Sequence, residues 1–408
     1  MTKPATDPVP QPSTAPRLPL AGLRVLDCSR VYAGPIGGML LADLGADVVR
    51  LEPPNGDETR GWGPPYWGDP AERRSAYFAS VNRNKRSMLL DLRGEAGQAV
   101  LDRLAERADL LLHNYQPSVA RKLGLGPDRL RVRHPDLVVA SVGGFPSTGP
   151  DVERPAYDLV AQAITGHMSV TGEPDGEPMK IGVALLDMTA GLLAAIAALA
   201  GLLGRERLRI RPAPQLSVSL IEAGVAALTN VLGNYLASGD EPRRWGTAHP
   251  DIVPYQVFHA RDGHLVVGVG NDGQFARFLG VLGVEPQERW KTNPQRLATR
   301  DELVPILANV IATRGRDELV AALTAADVPS GPVNQVSEAL AFMEQSDPAW
   351  ITDLDGIRNP PSPILVDATR PPVHRAPPRP GQHTDEILAE AGYIPTEIAA
   401  LRAAGVVR

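Results

Sequence analysis

The sequence almost lacks cysteine. Cys28 stands alone among 408 residues. No disulfide can close within the chain, and a reducing compartment, the cytoplasm, is the natural expectation. The eight histidines fall at no metal-ligand spacing and have no cysteine pair beside them, so no metal site is expected. There is no G-x-x-x-x-G-K-[ST] loop, hence no phosphate cradle for ATP-driven ligation, and no G-x-S-x-G elbow, which weakens a hydrolase reading. Excess basic charge is also missing: 41 Lys and Arg stand against 47 Asp and Glu, a net charge of −6. That argues against a nucleic-acid face but leaves room for a local basic pocket. The longest uncharged apolar run, MTAGLLAAIAALAGLLG at 188–204, is short and small-residue-rich for a membrane span. It reads as a buried helix, and no membrane association is expected. The first twenty residues carry six prolines and no apolar core, so 1–19 reads as an unfolded tail rather than a signal peptide.

What is present is an alternation. LRVLDCSRV (23–31) reads as a buried strand, GPIGGMLLADLG (34–45) as a helix with Pro35 in its first turn, and ADVVRLE (46–52) as a second strand. Strands at 86–92, 109–115 and 136–145 alternate with helices at 94–108 and 118–132. This is the pattern of a doubly wound α/β domain on a parallel sheet. Helices follow at 157–172 and 188–204, then a basic, Pro-broken connector at 205–214. From about 245 the texture changes to a hairpin with an Asp-Gly turn at 262–263, then helices at 273–283, 300–313 and 315–326. The fold class is therefore α/β: a large doubly wound domain (20–215), a linker helix (216–244) and a smaller α+β domain (245–340). A Pro-rich linker (341–382) precedes two terminal helices (383–408) that return to the large domain.

Three stretches bear on chemistry. AGPIGG after the first strand and GVGNDG (268–273) suggest dinucleotide loops. The first misses the spacing and the second lacks a returning β-α-β unit, so packing glycines at tight turns are the better reading. SVNRNKRS (80–87) gathers three cations before a strand, either as a solvated loop or as a basic rim for phosphates, which Arg93 and Lys122 could extend. GVALLDMTAG (182–191) sets one acid, Asp187, among small and apolar residues. Asp187 reads as the N-cap of the long helix, and the same position suits a nucleophile: ionised, held in one rotamer and open to a bulky ligand.

The motifs LADLGADVVRLEPP, GDETRGWGPP, SVNRNKRSMLLDL, VGGFPSTGP, PAYDLVAQAITGHMSVTGEPDG and GVALLDMTAG, in this order, resemble the class III CoA-transferases. RGWGPPYWGD, RRWGTAHPDIVPYQVF and GVGNDGQF look most like the succinate–hydroxymethylglutarate CoA-transferase branch. The resemblance implies an interlocked homodimer, coenzyme A as a substrate with no tightly bound cofactor, and Asp187 as the catalytic carboxylate. It implies contacts to coenzyme A from Val31, Ala33, Leu90, Arg93, Asn114, Tyr115, Lys122 and Tyr157. Racemase relatives carry a histidine where this chain has Tyr157, which favours CoA transfer over epimerisation of a 2-methylacyl-CoA. Oxalate-handling relatives carry a glutamine where this chain has Tyr32. The expected partners are an acyl-CoA, such as succinyl-CoA, and a small dicarboxylate. Arg60, Arg243, Arg244 and His249 are candidates for the distal carboxylate, and backbone donors from Gly270 and Asn271 to Gly273 for oxyanions. A non-catalytic acyl-CoA binder, with Asp187 only a cap, is the reading from another class.

Overall fold

The computed structural model describes residues 18–70 and 73–408; the expected tail of 1–19 lies outside the described residues but for Leu18 and Pro19. In chain order the elements begin β1 (Arg24–Asp27), α1 (Ala33–Asp43), β2 (Asp47–Glu52), β3 (Tyr66–Trp67), β4 (Arg74–Ser75), α2 (Ala76–Ala79), β5 (Arg86–Leu89), α3 (Glu95–Ala105) and β6 (Leu110–His113). They continue α4 (Pro117–Lys122), α5 (Pro127–Arg133), β7 (Val138–Gly143), α6 (Asp158–Ile164), α7 (His167–Val170), α8 (Leu185–Arg207), β8 (Gln215–Ser219), α9 (Leu220–Ala227) and α10 (Thr229–Ser238). After these come β9 (Tyr255–Ala260), β10 (Gly263–Gly268), α11 (Asp272–Leu282), α12 (Asn293–Ala298), α13 (Arg300–Ile311), α14 (Arg316–Ala325), β11 (Ser330–Pro332) and α15 (Val336–Ser346). The chain closes with β12 (Thr352–Leu354), β13 (Ile357–Asn359), α16 (Thr384–Glu390) and α17 (Pro395–Ala403).

Six strands form one parallel sheet in the order β5-β2-β1-β6-β7-β8. Successive residues of its strands enter opposite cores, as the two-residue period requires. Leu26, Val49, Leu111 and Val139 pack with Leu101 and Leu104 of α3 and with Ile387 and Leu388 of α16. Their neighbours Val25, Val48, Leu110 and Val138 pack with Leu41 of α1 and with Ala198 and Leu202 of α8. Both faces are covered, so the strands read as continuous apolar runs.

The chain parts into two compact units. Unit 1 comprises residues up to Ala161, Ala184–Ala227 and Ala349–Arg408; unit 2 comprises Gln162–Val183 and Leu228–Pro348. The sequence reading divides the domains at 244/245, whereas the compact units divide at 227/228, and 162–183 joins the second. Unit 2 has its own core. The antiparallel sheet β11-β10-β9 packs Phe258, Leu265 and Val267 against Phe278, Trp290, Leu303 and Leu323. Its hairpin differs by one residue from the expected Asp-Gly turn: Ala260 pairs with Gly263, so the loop is Arg261-Asp262 and the glycine already belongs to the strand.

Other expectations shift for local reasons. The helix expected at 118–132 is two, broken where Gly124 takes φ +74 and Pro127 starts the next. The helix at 157–172 breaks at Gly166, φ +85, into α6 and α7. The linker 341–382 contains the small hairpin β12-β13.

The long helix α8 carries the apolar run. By length and composition it could cross a membrane, but here it packs on α1, β7, β8 and α9. Its small residues are the reason it packs so closely. A Cβ on Gly191 would lie 2.1 Å from Ile36 Cγ2 and 2.5 Å from the carbonyl oxygen of Ala33. Glycine there lets the head of α8 come against the head of α1.

The basic stretch 80–87 is corrected in both of its expected forms. It is neither a solvated loop nor a basic rim, because all three cations are buried and paired. Arg83 grips Asp43 with Nε at 3.1 Å and Nη2 at 2.6 Å. Lys85 donates to Asp27 at 2.8 Å, and Arg86 donates to Asp47, Glu386 and Glu390. Burying a charge requires such partners.

Candidate active site

β1 and β2 run one way across the sheet from its centre, and β6, β7 and β8 the other. The strand order therefore reverses between β1 and β6, and ligands of open α/β sheets bind outside the carboxyl ends of the strands at this point. The two loops there are joined. The side chain of Asn114, after β6, accepts from the Arg30 N–H at 2.7 Å and donates to the Arg30 carbonyl at 2.7 Å. They open on a cleft of about 850 Å³ within unit 1. Its floor is apolar, with Leu125, Val139, Val142, Leu216 and Val218, and its rim carries Arg30, Arg121 and Arg154.

The cleft gathers seven of the candidate residues: Val31, Tyr32, Ala33, Asn114, Tyr115, Tyr157 and Asp187. The segments after β1 and β6, the residue before α6 and the head of α8 supply them, and the close approach of α8 to α1 brings the first and last of these together.

Asp187 sits in the first turn of α8, but it is not the cap. The N-cap is Ala184. Asp158, on α6, takes that duty by accepting the N–H groups of Leu186 at 2.8 Å and Asp187 at 3.2 Å. The capping expectation for Asp187 is thus corrected, and its carboxyl is left free of that role. The expectation that it stays firmly ionised is corrected as well. Burial, and then the charge of Asp158, push its carboxyl up from the ordinary 3.8 to about 7.

Two tyrosines lie within reach of the acid's charge. Burial and the charge of Asp187 raise the Tyr32 phenol, and the same two causes push Tyr77 up to about 12. Their rings stand 5.5 Å apart, and Trp62 meets the Tyr77 ring edge-on at 4.9 Å. His113, at the end of β6, lines the cleft and is pushed down to about 4 by burial, so its ring is neutral at pH 7.

The remaining candidates are placed elsewhere. Leu90 is buried and bridges Val407; exposed Arg93 is tied to Asp91 with Nε at 2.8 Å. Lys122, exposed on α4, is not among the cleft residues. Arg60 is committed to the fold: it donates to both oxygens of Glu52, at 2.7 and 2.6 Å, and to the Pro378 carbonyl at 2.9 Å, and it lies 3.7 Å over the Phe78 ring. Arg60→Ala strands a buried carboxylate, so it is expected to cost about 3 kcal/mol of stability while leaving KM for both substrates within twofold. Denaturant unfolding and steady-state kinetics check this, and a large rise in KM would return Arg60 to the substrate.

In unit 2, Nδ1 of His249 accepts from the Asp251 N–H at 3.0 Å, and Arg243 stacks on Trp245 at 3.8 Å. Arg244 donates to the Glu173 carbonyl at 3.0 Å. GVGNDG is a helix start: Asn271 caps α11 by accepting from Gln274 at 2.9 Å, and the Gly270 N–H donates to Gln274 Oε1 at 2.8 Å. Gly270, proposed as an oxyanion donor, therefore already has a partner.

A doubly wound sheet with a half-buried carboxyl at its switch-point cleft is the layout of a ligand-binding α/β enzyme. The chain belongs to CoA-transferase family III, whose model matches residues 20–384. A succinate–glutarate CoA-transferase of Agrobacterium fabrum is 38% identical, over 91% of this chain and 95% of its own length. The human succinyl-CoA:glutarate CoA-transferase is 36% identical over 95% of this chain and 90% of its own. The crystal structure of a CAIB/BAIF family protein from Brucella suis superposes with a TM-score of 0.82 at 38% identity, covering 92% of this chain and all of that one. The protein is accordingly an enzyme, a family III CoA-transferase handling CoA thioesters.

Proposed function

We propose that the enzyme moves coenzyme A from succinyl-CoA to a dicarboxylic acid through covalent intermediates on Asp187. The observation that carries this is the half-buried Asp187 carboxyl, freed from capping and pushed up to about 7, whereas Glu58 and Glu153, the other two acids lining the cleft, are exposed and paired with Arg30 and Arg121. Asp187 attacks the donor thioester carbonyl, the C–S bond breaks, and a mixed anhydride and a CoA thiolate result. The thiolate attacks the Asp187 carbonyl of the anhydride, releasing the donor acid and leaving an aspartyl-CoA thioester. The acceptor carboxylate attacks that thioester and expels the thiolate, and the thiolate then takes the acceptor's acyl group and restores the Asp187 carboxylate. One thioester replaces another, so no nucleotide is consumed, in keeping with the missing phosphate loop.

The backbone of Val31 and Ala33, with Asn114, Tyr115 and Tyr157, supports coenzyme A in this reading. The apolar floor suits its pantetheine arm, and Arg30, Arg121 and Arg154 suit its phosphates. The acceptor class follows relatives whose names specify succinate and glutarate. A screen of mono- and dicarboxylic acids against succinyl-CoA tests it: C5 or C6 dicarboxylates are expected to turn over fastest, and preference for a monocarboxylate would overturn the acceptor class.

An interlocked homodimer is part of the proposal. Leu192, Ile196 and Leu203 of α8 and Leu159 and Ile164 of α6 are large, apolar and exposed on one chain, the kind of surface a second copy covers. Sedimentation is expected to give twice the 43.5 kDa chain mass; a monomer would refute it.

A further inference from the structure

The turn from β1 into α1 is built around an unfavourable residue. Val31 has φ +65. That is the left-handed region, where a β-branched side chain is an outlier that its surroundings must enforce. The enforcement is visible. Asn114 clamps Arg30 on one side, as described above. On the other, Asp57 Oδ2 accepts the Val31 N–H at 3.1 Å. Asp57 is fixed in turn: its Oδ1 accepts from Thr59 N at 2.8 Å and Thr59 Oγ1 at 2.6 Å, and its own N–H donates to Glu52 at 3.0 Å.

Behind Asp57 lies a buried ionic chain. Arg50, fully buried, pairs with Asp57 and reaches Asp27 at 3.4 Å. Asp27 is held by buried Lys85 at 2.8 Å. The Lys85 ammonium also donates to the Pro35 carbonyl at 2.7 Å and to Asn82 at 3.0 Å. Burial opposes ionisation of Asp57, but Arg50 and the Thr59 hydrogen bonds outweigh it and hold its carboxyl below the ordinary value. Buried ion pairs are a weak source of stability, since apolar residues of like volume would serve as well. What this network does that apolar packing could not is hold an N–H acceptor rigidly beneath a strained residue.

We infer that the Lys85–Asp27–Arg50–Asp57 chain is a positioning device that holds Val31 left-handed and thereby sets Tyr32 and the Ala33 backbone in the cleft with Asp187. This rests on the reading above that coenzyme A reacts at Asp187. Asp57 is a positioning residue: it acts through residue 31.

The test is a double-mutant cycle on the full-length enzyme, read both in kcat for transfer from succinyl-CoA to glutarate and in the Kd for free coenzyme A. With valine at 31, Asp57→Asn is expected to lower kcat about 10- to 100-fold, the scale of a small misplacement at a reacting centre, and to weaken coenzyme A about fivefold. In the Val31→Gly background, where the backbone adopts this φ without cost, both penalties shrink to under about threefold, whatever Val31→Gly does by itself. A structural loss would cost the same in both backgrounds, and equal penalties overturn the inference. Should Asp57→Asn fail to fold, Thr59→Val, which removes one bond to Asp57, takes its place, with a penalty of about threefold that glycine at 31 erases. A wild-type enzyme that binds coenzyme A yet transfers none would defeat the proposed reaction, while the cycle in Kd would still decide this inference.

Discussion

Asp187→Asn and Asp187→Ala are expected to transfer coenzyme A at least about 10⁴-fold more slowly than the wild-type enzyme, the scale seen when a covalent nucleophile is removed. The other acids lining the cleft, Glu58 and Glu153, are exposed and paired with Arg30 and Arg121. Asp158 is spent on the head of α8, and its carboxylate oxygen already accepts two backbone N–H groups. The tyrosines beside the acid hold their protons far above neutral pH, and His113 is a neutral ring. Incubating the wild-type enzyme with succinyl-CoA and trapping with hydroxylamine is expected to convert residue 187, and no other, to a hydroxamate. Transfer by the alanine variant within tenfold of wild type, or a hydroxamate at another position, would sink the covalent scheme. Both variants should remain folded, because the side chain removed makes no capping bond.

The acid limb of the rate profile is the second large effect. A nucleophilic carboxylate must be ionised, and that of Asp187 is pushed up to about 7. Transfer is expected to fall about tenfold per pH unit below pH 7, where an ordinary carboxylate would give a plateau down to about pH 4. Asp158→Asn removes the neighbouring charge while keeping an oxygen acceptor for the helix head, so the limb should move to lower pH. A limb near pH 4 in the wild type, or one that Asp158→Asn leaves in place, would contradict this account.

Stability carries the same signature. The folded chain keeps a proton on Asp187 between about pH 4 and 7 that the unfolded chain has released, so this site's contribution falls as pH rises through that window. A carboxyl moved from 3.8 to about 7 corresponds to a ceiling of about 4 kcal/mol, and solvent in the open cleft reduces this to about 1–2 kcal/mol. Asp187→Asn should therefore unfold at higher temperature than wild type at pH 8 and at the same temperature at pH 4. In the proposed scheme the penalty also has a use: anhydride and thioester would be uncharged at this residue, so an environment that disfavours the carboxylate would narrow the gap to the acylated enzyme.

The parallel sheet is legible because its strands are apolar runs separated by helical periods, a pattern that needs no knowledge of distant contacts. Asp187 is legible for a similar reason, as the one acid in a small-residue stretch. Other parts are not, because their meaning lies in partners far along the chain. Arg83 and Lys85 look solvated until Asp43 and Asp27, 40 and 58 positions away, come beneath them. Asp158 has no local mark of a cap, since the helix it caps begins 27 residues later. Nothing in the residues around Val31 announces a left-handed backbone at a valine. The breaks at Gly124 and Gly166 are different: a glycine stands at each in plain view, and the helical period of the sequence simply runs on past it.

Unit 1 is not contiguous, and this sets an order of events during synthesis. Its sheet is complete once Ser219 has emerged, yet one face of that sheet packs on Ile387, Leu388, Ile398 and Val407. Unit 2, with a core drawn wholly from residues 253 to 328, has all its parts while those four are still unmade. A nascent chain thus holds every residue of the smaller unit's core while the part of the larger unit's sheet face that α16 and α17 cover is still bare, and that part closes only once those last helices have been made.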